Sequence, residues 1–133
     1  MHPRHIEALT LANIDYVNLA NNHILDYNLE GMLETLDLLD HHHVCHGGAG
    51  LNIAQAQQPH YLQCGDTTIG IISGSDHYPA WGASPHGPGI HLVTIDPLGL
   101  SHLQPLIHDG KQRADLVILS LHWGPNMRQQ PPE

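Results

Sequence analysis

Asn18-Leu19-Ala20-Asn21-Asn22-His23-Ile24-Leu25-Asp26-Tyr27-Asn28 joins a short apolar run, Asp15-Tyr16-Val17, to an amphipathic segment that starts at Leu29. Amide, imidazole and carboxylate groups are thereby gathered at the mouth of a strand-to-helix connection. In open α/β sheets that crevice, outside the carboxyl ends of the strands, is where ligands bind. An Asn-His pair there supplies a neutral oxygen ligand for a metal ion and a titratable ring beside it. The same side chains also cap helices and shape turns, so Asn21, Asn22 and Asp26 have a purely structural use as well.

Downstream, Leu29, Met32, Leu33, Leu36 and Leu39 recur at three and four residues and predict a helix over about Leu29–Asp40 with one core-facing stripe. Asn28 before it suits a left-handed conformation. Glu30 and Glu34 favour the positive end of the helix dipole and His41, His42 and His43 the other. Upstream, Arg4 to Asn13 is expected as a short helix, and Asp15 to Leu19 as a buried strand.

Beyond the long helix, Gly47-Gly48-Ala49-Gly50 is a turn signal, with neither the Lys-Ser/Thr of a P-loop nor a GxGxxG pattern. A helical turn is expected over Leu51–Gln57, ended by Pro59. Tyr61–Cys64 and Thr68–Ser73 are expected to pair as a hairpin through Gly65-Asp66-Thr67, where Gly-Asp is a turn rather than a metal motif. Ser73 to Gly89, with three Pro and four Gly, is expected as a long loop. It contains Asp76, His77, Trp81 and His86 and so offers one wall of a site. A short strand over His91–Ile95, a helix over Leu100–Arg113 and a strand over Leu116–Leu121 covered on both faces follow, and then a polar tail from Pro125 to Glu133. This order indicates a layered α/β domain.

At 133 residues with 41% hydrophobic content, the chain is long enough for one domain with a real core. Charged residues make up only 13%, and 14 His supply much of the polar character. Four Lys+Arg against 13 Asp+Glu give a formal charge of -9, which disfavours nucleic acid as a partner. An acidic polymer would be repelled too unless a bound cation supplied positive charge. Cys45 and Cys64 form no CxxC motif, so whether they pair is left open. No apolar run reaches the roughly 18 residues of a membrane span, and Met-His-Pro-Arg-His lacks the apolar region of a signal peptide.

Two histidines, His23 and His122, each sit just past a predicted buried strand. If those strands neighbour each other in one sheet, both rings face one crevice. Neutral imidazole is a ligand for Zn, Mn and Fe, and an ion there would activate water and offset charge on a phosphoryl or acyl oxygen. Asp26, three residues after His23, can hydrogen-bond its ring or cap the following helix. Three successive His on a helix point about 100° apart, so His41-His42-His43 is surface composition rather than an ion cage. Ser73 and Ser75 lie near His77 without a GxSxG elbow, so serine-hydrolase chemistry is poorly supported.

The segments NLANNHILDYNLEGMLETLDLLD, GGAGLNIAQAQQP and ADLVILSLHWG together resemble the bacterial capsule synthesis protein CapA family, in register from about Asp15 to His122. The resemblance implies a calcineurin-like metallophosphoesterase fold, an α/β/β/α arrangement, and a link to poly-γ-glutamate. It implies that Asn22 and His122 are metal ligands, that His23 donates a proton to a leaving oxygen, and that Asp26 supports His23. Divalent ions of the Mn, Fe or Zn class are the implied cofactors. An acidic polymer or a small phosphoester is the implied substrate, capsule synthase subunits are the implied partners, and the cell envelope is the implied location.

The family's upstream Gly-Asp and Asn-Leu-Glu motifs and its downstream Gly-His-His-Pro-His motif are not in this sequence. Residues 1–133 are therefore expected to form a single incomplete domain, inactive alone, with unpaired strand edges that favour association. The leading expectation is a role in capsule or poly-γ-glutamate synthesis or export. Its competitors are a metal-dependent hydrolase of a phosphoester or of the γ-amide polymer, and a non-catalytic assembly module.

Overall fold

Apolar spacing and helix-end chemistry set the elements of the computed structural model, which describes residues 3–125 and 127. A 3-10 turn at Pro3–Ile6 runs into α1 (Glu7–Leu11), and Ile6 anchors the pair in the core at 7% exposure. β1 (Tyr16–Asn18) follows, then the exit loop and α2 (Asn28–His41). Asn28 has φ 61°, the left-handed conformation expected of it. Met32, Leu36 and Leu39 carry the buried stripe of α2, while Leu29 is left 40% exposed at its first turn.

The end of α2 has a local cause. His43 takes φ 56°; its N–H donates to Asp40 O at 3.1 Å, and Val44 N–H donates to Leu39 O at 3.0 Å. That paired bonding is the Schellman arrangement, with Val44 and Leu39 in the same apolar cluster. The position usually belongs to glycine, and here a histidine fills it.

The chain continues through β2 (Cys45–Gly47), β3 (Ala49–Gly50), α3 (Ile53–Ala56), β4 (His60–Cys64) and β5 (Thr67–Ser75). Asn52 caps α3 by accepting from Gln55 N–H at 3.0 Å. The β4–β5 turn is tighter than expected: Cys64 already pairs with Thr67, leaving Gly65-Asp66 as the loop, with Gly65 at φ 60°. The long loop is shorter than its composition predicts, because β5 extends to Ser75, a 3-10 turn forms at Pro79–Trp81 and β6 spans Gly89–Ile90.

The strand expected over His91–Ile95 does not form. His91 N–H is held by Gly48 O at 2.9 Å and Leu92 N–H folds back on Ile90 O at 3.0 Å, so β6 ends at Ile90. Beyond it the chain makes a single parallel bridge to β5, with Ser75 N–H donating to His91 O at 3.0 Å and Val93 N–H to Ser75 O at 2.9 Å. α4 (Pro97–Arg113) begins earlier than expected because Asp96 accepts from Gly99 N–H at 2.8 Å ahead of a Pro in the first turn. β7 (Leu116–His122) completes the described strands. Of the polar tail, residues 126 and 128–133 lie outside the described residues.

Three small sheets result: β1 with β2 in parallel, β3 with β6 antiparallel, and β4-β5-β7, in which β5 and β7 are parallel with α4 as the crossover. One core packs α2 against β1, β3 and β6; a second packs Leu103, Leu106 and Ile107 of α4 against Ile72, Val93 and Val117. β7 departs from the expectation of a strand covered on both faces. Its one partner among the described residues is β5, α4 covers a single face, and Leu116 and Ile118 stay 50% and 42% exposed.

Candidate functional site

The exit of β1 is built by its own amides. Asn18 Oδ1 accepts from Ala20 N–H at 2.8 Å, and Asn21 Oδ1 accepts from His23 N–H at 2.9 Å. These short loops of side chain onto backbone bend the chain away from the strand. Asn22 is buried, at 8% exposure, whereas the His23 side chain is 74% exposed. His23 Nδ1 lies 2.8 Å from Asp26 Oδ2, the orienting contact expected of Asp26, whereas the N-terminus of α2 has no side-chain cap and Asp26 does not cap it. With Nδ1 donating to that carboxylate, Nε2 is the ring atom available for proton transfer.

The exits of β5 and β7 lie side by side because Ser75 pairs with His122 in the parallel register. Asp76 N–H donates to His122 O at 3.2 Å, and the Asp76 carboxylate accepts from Gly124 N–H, with Oδ2 at 3.1 Å and Oδ1 at 3.3 Å. The His77 ring lies 4.9 Å from that of His122. His77 Nδ1 is 3.0 Å from Asp76 Oδ1 but out of line for a hydrogen bond, and so is buried without one. Burial holds the His122 pKa below the usual imidazole value; charge on His77 and on His23 lowers it further, while Asp76 opposes them. The neutral ring this favours is the form that binds metals.

β1 and β7 are not neighbours in one sheet, as the argument from sequence required. They meet across two sheets through Asn18, whose Nδ2 donates to Ser120 Oγ at 2.8 Å and to Ser120 O at 3.3 Å. Tyr16 and Ser73 add a second tie, hydroxyl to hydroxyl at 2.7 Å, with the Tyr16 phenol pushed above its ordinary pKa by burial. His91 adds a third by donating from Nδ1 to Ser73 O at 2.7 Å. Polar contacts between the sheets thus place the three strand exits together.

His23, Asp26 and His122 are brought to one end of the molecule with Asp76 and His77. Trp81 instead packs on the α2 core, and His86 lies in the exposed turn at Ser84. His41, His42 and His43 are exposed, as expected, and Cys45 and Cys64 are free thiols. Among the described residues no three His, Cys, Asp or Glu side chains converge on one point as an ion cage. The His122 ring, whose pKa burial lowers, and the buried Nδ1 of His77 are of the kind a metal takes as part of a ligand set, and Asn22 is buried in the β1 exit loop. A cavity of about 720 Å³, lined by Leu36, Asp40, His46, Gln55 and His60 among others, shares none of these residues and lies beside the C-terminal end of α2.

The profile of the family described as "Bacterial capsule synthesis protein PGA_cap" matches residues 1–133. The chain is 29% identical over 133 residues to the PGA biosynthesis protein CapA of Bacillus subtilis, covering 94% of this chain and 34% of that one. It is 30% identical over 134 residues to a Mycobacterium tuberculosis protein described as a polyglutamine synthesis accessory protein, covering 95% and 35%. The chain therefore spans about a third of the length of these relatives. Its fold is similar to that of a Staphylococcus aureus protein described as a 5'-nucleotidase, solved with alpha-ketoglutarate, at TM-score 0.55 and 21% identity over 98% of this chain and 26% of that one. The mixed α/β arrangement is accordingly metallophosphoesterase-like.

Proposed function

The chain belongs to the bacterial capsule synthesis protein PGA_cap family, and we propose that it contributes a metal-dependent site to poly-γ-glutamate capsule synthesis or export. The observation that carries this reading is the meeting of His23–Asp26 with His122, Asp76 and His77 at the exits of three strands. Asn22 and His122 would hold a divalent ion of the Mn, Fe or Zn class. Such an ion, when bound, would polarise a substrate oxygen and lower the pKa of a coordinated water. His23, oriented by Asp26, would deliver a proton from Nε2 to a leaving oxygen. The substrate class is an acidic polymer or a phosphoester.

A second reading, a non-catalytic assembly module that binds polymer or synthase subunits, is favoured by the 74% exposure of the His23 side chain and by the lack of three converging ligands among the described residues. The cell envelope is the location this role calls for; no helix among the described residues is long and apolar enough to cross a membrane.

The test is metal content by mass spectrometry on a polypeptide of the relatives' full length that carries this chain, stripped of adventitious ions and reloaded. Stoichiometric metal lost in both Asn22→Ala and His122→Ala supports the site. His23→Ala should then keep the metal and lose hydrolysis. Metal that survives both ligand substitutions belongs to the surface histidines and refutes the reading. Capsule output untouched by His23→Ala moves the conclusion to the assembly module.

A further inference from the structure

We propose that Asp76 is a positioning residue of this centre, setting the direction in which His122 leaves β7. This rests on the metal-site reading and deepens it. The chain has to turn sharply after Trp123, and Gly124 does so at φ 88°. Asp76 braces that turn from the neighbouring strand exit with two connections, its own N–H to His122 O and its carboxylate to Gly124 N–H. The first prolongs the β5–β7 ladder by one bond past the Ser75–His122 pair. The second ends the ladder and fixes the backbone on the far side of His122. A residue held on both flanks has little freedom in where its Cβ points. The same carboxylate lies 3.0 Å from His77 Nδ1, whose ring sits 4.9 Å from that of His122. Outer partners of this sort change metal affinity by about 10- to 100-fold when removed.

The experiment is calorimetric titration of Zn²⁺ or Mn²⁺ into the stripped protein of the relatives' full length, beside amide hydrogen exchange across residues 122–125 without metal. Asp76→Ala is expected to weaken binding about 10- to 100-fold and to speed exchange at Gly124. Asp76→Asn keeps an oxygen that accepts from Gly124 N–H, and should restore both affinity and protection. Asp76→Ala binding as tightly as the unsubstituted protein overturns the proposal and leaves the metal site standing. So does Asp76→Asn that keeps Gly124 protected yet binds as weakly as a deletion of the site, because charge and not position would then be the cause; this arm decides the matter even if the alanine variant fails to fold. Metal retained in full by His122→Ala overturns the metal-site reading and this proposal with it.

Discussion

Replacing Asn18 by Ala should weaken the join between the β1–β2 sheet and the β4-β5-β7 sheet, leaving the Tyr16–Ser73 tie in place. Asn18 is half-buried and makes contacts in two directions: its oxygen accepts from Ala20 N–H at 2.8 Å, and its nitrogen donates to Ser120 Oγ at 2.8 Å. Ala20 is fully buried, so its N–H cannot recover the bond from water. An unsatisfied buried donor costs about 1–3 kcal/mol, and the lost bond to Ser120 adds roughly 1 kcal/mol. The expected loss is therefore about 2–4 kcal/mol, a large share of the roughly 5–15 kcal/mol that holds a domain together. Urea unfolding reads it as a midpoint lowered by about 1–2 M at an unchanged slope. Ser120→Ala alone should cost less, since Ser120 O still lies 3.3 Å from Asn18 Nδ2. The double variant should fall short of the sum by about 1 kcal/mol, the coupling expected of residues in direct contact. Strict additivity, or a loss below about 0.5 kcal/mol for Asn18→Ala, would refute the claim that this contact joins β1 to β7.

Two further outcomes follow from other parts of the chain. His43→Gly should stabilise the protein by about 1 kcal/mol, because φ 56° strains a residue with a Cβ and suits glycine; an unchanged or lower thermal midpoint would contradict the strain argument. His91 is buried, and burial depresses its pKa despite the bond its ring makes to Ser73 O. The native state thus binds protons less readily than the unfolded one, so His91 contributes stability above about pH 6.5 that is lost as pH falls below it. His91→Asn, which keeps an N–H donor near Nδ1 and removes the titration, should flatten the urea midpoint between pH 7.5 and 5; an unaltered slope would assign the acid sensitivity elsewhere, with His60 and His122, whose pKa values burial also lowers, the next to test.

Helix α2 was legible because its five leucine and methionine positions repeat at helical spacing, a signal local enough to survive without tertiary information. The Asn28 conformation was legible for the same reason. What could not be read was non-local. The sequence predicts a buried strand at Leu116–Leu121 from apolar content alone, yet burial depends on how many strands and helices pack on it, and among the described residues β7 has one of each. The candidate site shows the same divide. His23 with Asp26, three residues apart, can be paired by inspection, and the two meet at 2.8 Å. Asp76 and His77 were visible only as polar residues in a long loop. Their role beside His122 depends on the β5–β7 register, which joins segments more than 40 residues apart. The Asn18–Ser120 contact, 102 residues in separation, left no local trace.

Charge places one more constraint on the proposed role. Lys111 and Arg113 close α4, and the Arg113 guanidinium lies 4.6 Å from the Tyr61 ring centre. α4 leads into β7 at Leu116, and His122 is six residues further along that strand. At about 3.3 Å per residue the two ends are roughly 20 Å apart, twice the screening length in 0.1 M salt. These two cations therefore do little to draw a polyanion to the strand exits, where Asp26 and Asp76 add negative charge to a chain already at -9. Among the described residues the groups there that can offset it are imidazoles, and burial together with charge on His77 and His23 lowers the His122 pKa. An acidic polymer would approach that end only after a cation had entered it. For the proposed role, a divalent ion would therefore have to bind before the polymer, and it would serve recognition of the substrate as well as any chemistry performed on it.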